Sequence, residues 1–98
     1  MTQYMYLDEM QTLCMRLSNA FKVTRPDDTV LIDLYDRAEE GFFRKKGILE
    51  ADKAKEEISE NQIERVLGFQ AFVEKTETDA AYKLKEINDA RESQRAAS

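Results

Sequence analysis

An all-α fold is the prediction here: an N-terminal antiparallel helical hairpin followed by a long C-terminal helix, in a three- or four-helix bundle-like arrangement. Three observations carry it. The 98 residues include only three glycines and one proline, so turns are few and elements are long. Glu, Lys, Ala, Gln, Leu and Arg, the residues that cost least in a helix, dominate the chain. Apolar side chains recur at steps of three and four, and no segment shows the two-residue alternation of a half-buried strand.

The first helix is expected over residues 2–22. Leu7, Met10, Cys14, Leu17 and Phe21 follow one another at alternating three- and four-residue steps, which puts them on one face. Tyr6, Leu13 and Ala20 widen that face. Pro26 then lacks the N–H a helix interior needs and biases Arg25 away from helical geometry. A second helix is expected over 27–46, with Pro26 tolerated at its start and Asp27 and Asp28 suited to the positive end of its dipole. Its apolar face is Val30, Leu31, Leu34, Tyr35, Ala38 and Phe42. Asp33–Arg37 and Glu40–Arg44 are acid-first i,i+4 pairs. Arg44, Lys45 and Lys46 suit a helix C-terminus, and Gly47 suits a left-handed cap.

The third helix is expected over 50–92, either continuous or interrupted near Thr76–Thr78, where Thr78 would cap a fourth. Residues 50–57 are almost all charged. Beyond them Val66, Val73, Ala80 and Ile87 fall at one heptad position, facing a mixed line of Ile63, Gln70, Glu77, Leu84 and Arg91. Residues 93–98 read as a frayed tail. The whole of 1–92 is read as a single helical domain.

Length and charge bound the function. A chain of this size buries only about 60–70% of the surface its unfolded form exposes, so its core is thin. The net charge is −5, with four of those five charges in residues 50–98. Such a balance disfavours nonspecific nucleic-acid binding, which needs Lys and Arg to neutralise phosphates. The chain starts without a basic, then apolar, leader. No run reaches the ~20 apolar residues that span a bilayer. A cytoplasmic protein with no membrane partner is expected.

Catalytic and metal chemistry find no obvious residues, and the expectation is a non-enzymatic protein without metal or cofactor. Histidine is absent, which removes the commonest general base and metal ligand. The single cysteine, Cys14, lies on the apolar face of the first helix and reads as a small core side chain. Gly41, Gly47 and Gly68 are isolated and form no phosphate-cradling loop. Adjacent acidic pairs such as Asp27/Asp28, Glu39/Glu40 and Glu56/Glu57 diverge on a helix and read as solvated faces.

What remains is surface. The C-terminal helix holds more apolar stripe than a short hairpin covers, so Phe43, Val66, Phe69, Phe72, Val73, Ala80, Leu84 and Ile87 are the expected protein interface, with a homodimer as the simplest outcome. Glu56, Glu57, Glu60 and Glu64 form a candidate acidic surface for a basic partner, including an inhibitor-like contact with a nucleic-acid-binding surface. Arg44, Lys45 and Lys46, next to Phe42 and Phe43, are the alternative: a nucleic-acid contact in a regulator or packaging component.

Overall fold

The computed structural model describes residues 1–97, and they are helical apart from short connections. Helix α1 spans Gln3–Thr24, α2 Thr29–Ile48, the single turn α3 Ala51–Ala54, and α4 Glu60–Ala97. The all-α arrangement expected from periodicity is what the chain adopts. Its layout is an open row with α1 in the middle. Helix α2 returns antiparallel to α1: Lys46 near its end reaches Asp8 and Gln11, each at 2.9 Å, and Asp36 accepts a hydrogen bond from the Ser18 hydroxyl. Helix α4 runs parallel to α1 on its other side. Gln3 meets Gln62, Glu9 meets Gln70, Arg16 meets Glu77, and Lys83 reaches the Thr24 carbonyl. Helices α2 and α4 make no close backbone approach to each other.

The caps explain the boundaries. The Thr2 hydroxyl accepts from the Met5 amide at 3.3 Å and opens α1. The Asp28 carboxylate accepts from the Leu31 amide at 3.2 Å and opens α2, so Pro26 sits in the turn before the helix and not at its first position. At the other end α2 runs through Gly47 to Ile48 and stops where Leu49 turns extended. Gly47 takes no left-handed conformation, which corrects the expected glycine cap.

The expected 50–92 helix is in fact interrupted, and not at Thr76–Thr78. Residues 55–59 cross the N-terminal end of α1: the Gln3 amide donates to the Glu56 carbonyl at 2.7 Å, and the Ile58 amide to the Met1 carbonyl at 3.0 Å. Ile58 is buried there and closes one end of the core. Ser59 then starts α4 with a reciprocal capping box. Its hydroxyl accepts from the Gln62 amide at 3.2 Å, and the Gln62 side chain accepts from the Ser59 amide at 2.9 Å. Two amides that a helix start leaves orphaned are satisfied by each other's side chains. Thr76, by contrast, is a core residue. It is buried, and its hydroxyl donates to the Phe72 carbonyl one turn back at 2.9 Å, so the helix continues through it. Where a frayed tail is expected over 93–98, α4 stays helical to Ala97, and Ser98 lies outside the described residues.

The core lies between α1 and its two neighbours. Leu13 and Leu17 of α1 and Val73 of α4 are fully enclosed, with Tyr6, Met10, Phe21 and Val66 around them. Rings bridge the open side: Tyr35 of α2 stacks on Phe69 of α4 at 6.2 Å, and Phe21 sits 5.8 Å from Tyr35 and 6.3 Å from Phe72. Such pairs add about 0.5–1.5 kcal/mol each beyond their area. The molecule measures 64 × 22 × 18 Å with a radius of gyration of 17.5 Å, against about 13 Å for a compact chain of this length. The excess comes from α4, whose last three turns project beyond the end of α1.

Candidate interaction surfaces

The expected apolar interface divides in two. Val66, Val73 and Ala80 are buried by the chain's own α1 and are not available to a partner, which corrects that part of the expectation. The reason is register. α1 packs parallel along the line Val66, Phe69, Val73, Thr76, Ala80 and Lys83, each step three or four residues, and the expected line of Ile63, Gln70, Glu77 and Leu84 lies along one edge. Gln70 and Glu77 on that edge bind Glu9 and Arg16. The Arg16–Glu77 pair is bidentate, at 3.0 and 2.5 Å. It holds the Glu77 carboxyl below the usual carboxylate range, although both side chains are more than a third exposed, so solvent limits its worth to about 1 kcal/mol or less. Phe69 is half-buried under Tyr35. Phe72, Phe43, Leu84 and Ile87 remain exposed.

The C-terminal helix keeps exposed apolar side chains at Ile63, Leu67, Phe72, Tyr82, Leu84 and Ile87, and α2 carries a second exposed set of which sequence reasoning singled out only Phe43. No residue of α2 is buried, despite its Val30, Leu31, Ile32, Leu34, Tyr35, Phe42, Phe43 and Ile48. Leu31, Ile32, Tyr35 and Phe42 lean on the core. Val30 and Ile48 are 81% and 82% exposed, and Leu34 58%. Shallow depressions run along this helix, among them one around Val30, Leu31 and Leu34, one around Ala38, Gly41 and Phe42, and one around Lys45, Ile48 and Leu49. A 3.6-residue wheel drawn over residues 29–48 shows the second stripe, since Val30 and Ile48 fall well away from the Ile32–Tyr35 face.

The basic cluster does not form a common surface. Consecutive residues on a helix diverge by about 100°. Arg44 is held by Glu40 at 2.6 Å, and Lys46 by Asp8 and Gln11. Lys46 also lies 5.7 Å from the Phe43 ring, and Lys45 lies 5.7 Å from the Phe42 ring. The acidic quartet is exposed throughout, but split. Glu57 accepts from the Met1 amino group at 3.1 Å, and Glu56 belongs to the connecting segment. Only Glu60 and Glu64, four apart on α4, share a face.

Cys14 is enclosed between α1 and α2. Burial, aided by the nearby Glu39 carboxylate, pushes its thiol up to about 11, so it stays protonated and unreactive near neutrality. Among the described residues no helix is long and apolar enough to cross a membrane. Set against protein families, curated proteins and solved structures, the chain matches none, so the surfaces themselves carry the functional argument.

Proposed function

We propose that this chain is a small cytoplasmic protein-interaction module that works through helical faces, without catalysis, and that it acts as a homodimer. The observation that carries the reading is the exposed apolar row on α2, headed by Val30, Leu34 and Ile48. A chain of 98 residues with so thin a core has little reason to leave branched aliphatic side chains four-fifths exposed along one helix, unless something covers them. Leu84 and Ile87 on the projecting part of α4 are a second open pair, and Glu60 and Glu64 lend that helix an acidic approach for a basic partner. A nucleic-acid contact draws no support from Arg44, Lys45 and Lys46, which point apart and are largely engaged within the chain.

Affinity capture from the source cells tests the reading. Wild-type protein should retain a reproducible protein partner. Val30→Asp with Ile48→Asp, or Leu84→Asp with Ile87→Asp, should release it while the circular dichroism spectrum stays helical. Glu60→Gln with Glu64→Gln should weaken capture if the acidic face steers the partner. Retention of nucleic acid alone, lost with rising salt, would replace this reading with the nucleic-acid one.

A further inference from the structure

We infer that two copies of this chain pair through α2, antiparallel, about a two-fold axis near Ala38 and Gly41. The inference rests on the interaction reading above and assigns its self-association to a surface. Three independent features of α2 point to a second copy as the occupant.

The first is shape. Val30, Leu34, Ala38, Gly41, Lys45 and Ile48 follow one another at steps of four, four, three, four and three, so they form one stripe. It lies on the side of α2 turned away from the Ser18–Asp36 contact with α1. Reversed, the stripe nearly reproduces itself. Val30 comes opposite Ile48, Leu34 opposite the aliphatic stem of Lys45, and Ala38 opposite Gly41. Bulk lies at the ends and the smallest residues at the centre, where two crossing helices come closest.

The second is charge. Along one border of the stripe stand Asp33, Arg37, Glu40 and Arg44. Within one chain they form the exposed pairs Asp33–Arg37 at 2.9 Å and Glu40–Arg44 at 2.6 Å. Read antiparallel against itself, the alternating series sets Asp33 against Arg44 of the other copy and Arg37 against Glu40. Every cross-pair is attractive, whereas a parallel pairing would set like against like. Residues 29–48 hold four acidic and four basic side chains, so this helix is neutral in a protein of net charge −5. Two acidic copies can therefore meet here without repulsion.

The third is Gly41. Glycine inside a helix costs about 1 kcal/mol relative to alanine. A Cβ added at Gly41 would meet nothing within 4 Å, and its backbone has no positive φ. Nothing within the chain requires glycine at this position. A second helix crossing at this point would require it.

Sedimentation of the purified chain alone tests the inference. Wild type should show a concentration-dependent dimer. Arg37→Glu with Arg44→Glu makes the border wholly acidic, and Asp33→Arg with Glu40→Arg makes it wholly basic. Each double variant alone should be monomeric, and an equimolar mixture should recover a heterodimer. A Cβ at Gly41 meets nothing within 4 Å in the monomer, so Gly41→Leu should fold but fail to dimerise. A wild-type chain that stays monomeric up to about 1 mM, the weak end of measurable association, overturns the inference and leaves partner capture as a separate question. A dimer that tolerates both charge reversals but is lost with Leu84→Asp and Ile87→Asp also overturns it, because self-association would then belong to α4.

Discussion

Truncating Val73 and Ile87 to alanine separates the part of α4 that holds the molecule together from the part that merely extends it. In the heptad line the two positions are equivalent. In the structure Val73 is fully enclosed between α1 and α4, and Ile87 is 38% exposed beyond the end of α1. Val73→Ala removes two buried carbons, about 1.6 kcal/mol of transfer free energy at about 0.8 per methylene. The hole left in a site with no solvent access adds about 1 more. A loss near 2.5 kcal/mol is large against the ~5–15 kcal/mol available to a domain of this size. It should lower the midpoint of thermal unfolding by about 10–20 °C. Ile87→Ala removes three carbons that are only partly covered, and alanine returns a few tenths of a kcal/mol in helix propensity, so its loss should be about 1 kcal/mol. Urea unfolding followed at 222 nm, in dilute solution, measures both. The slope with denaturant should be unchanged while the Val73 midpoint shifts. Equal losses at the two sites would refute the reasoning, because Ile87 would then be as enclosed as Val73.

Three further outcomes follow from named contacts. Thr76→Val keeps the shape of a buried side chain and removes a hydroxyl whose acceptor, the Phe72 carbonyl, belongs to the helix ladder; stability in urea should change by less than about 1 kcal/mol, whereas a Thr76 acting as a helix stop would make the same change strongly perturbing. Gly47→Ala places a Cβ in open space within a regular helix and should stabilise by about 0.5 kcal/mol; a left-handed cap would give the opposite sign in the same titration. Burial raises the Cys14 thiol from 9.0 to about 11, so the unfolded chain ionises first as pH rises. Its contribution is complete below pH 9 and is lost progressively toward pH 11, by about 2–3 kcal/mol at about 1.4 per pH unit. The difference between the alkaline stability curves of wild type and Cys14→Ala isolates that loss, and coincident curves would contradict it.

The front half of the molecule was legible because single helices announce their faces. Every apolar position that periodicity placed on the first helix, from Tyr6 to Phe21, is buried or half-buried, and Pro26 marks the turn. The back half was not, for three physical reasons. The break before α4 is written in Ser59-Glu60-Asn61-Gln62, a capping box that sits inside a charged run and so carries no change of composition. Thr76 reads as polar, yet a threonine that returns its hydroxyl to its own helix buries like valine. Periodicity also cannot say which neighbour covers a stripe or in which direction it runs. The parallel pairing of α1 with α4 depends on contacts such as Glu9–Gln70 and Arg16–Glu77, about sixty residues apart. Surplus apolar surface was therefore expected on α4, which keeps part of it at Phe72, Leu84 and Ile87, but, Phe43 apart, not on α2, which α1 leaves uncovered.

The same geometry makes the stability of α4 uneven along its length. Up to Lys83 its backbone has α1 beside it, and the Lys83 ammonium reaches the Thr24 carbonyl at 3.4 Å where α1 ends. Leu84 still borders Val23 of α1 in a shallow groove, and beyond it the helix runs past the end of that neighbour. A segment of about thirteen residues is marginal as an isolated helix in water, since nucleation is costly and most helices draw their stability from a packed face. It persists here because the packed part supplies the nucleus. Amide exchange in a dilute, monomeric sample should show protection near the global value around Val73, falling within two turns of Lys83 to nearly that of free peptide. Uniform protection through Ile87 and beyond would mean that Leu84 and Ile87 are covered, and the second open surface assigned to this protein would then be closed.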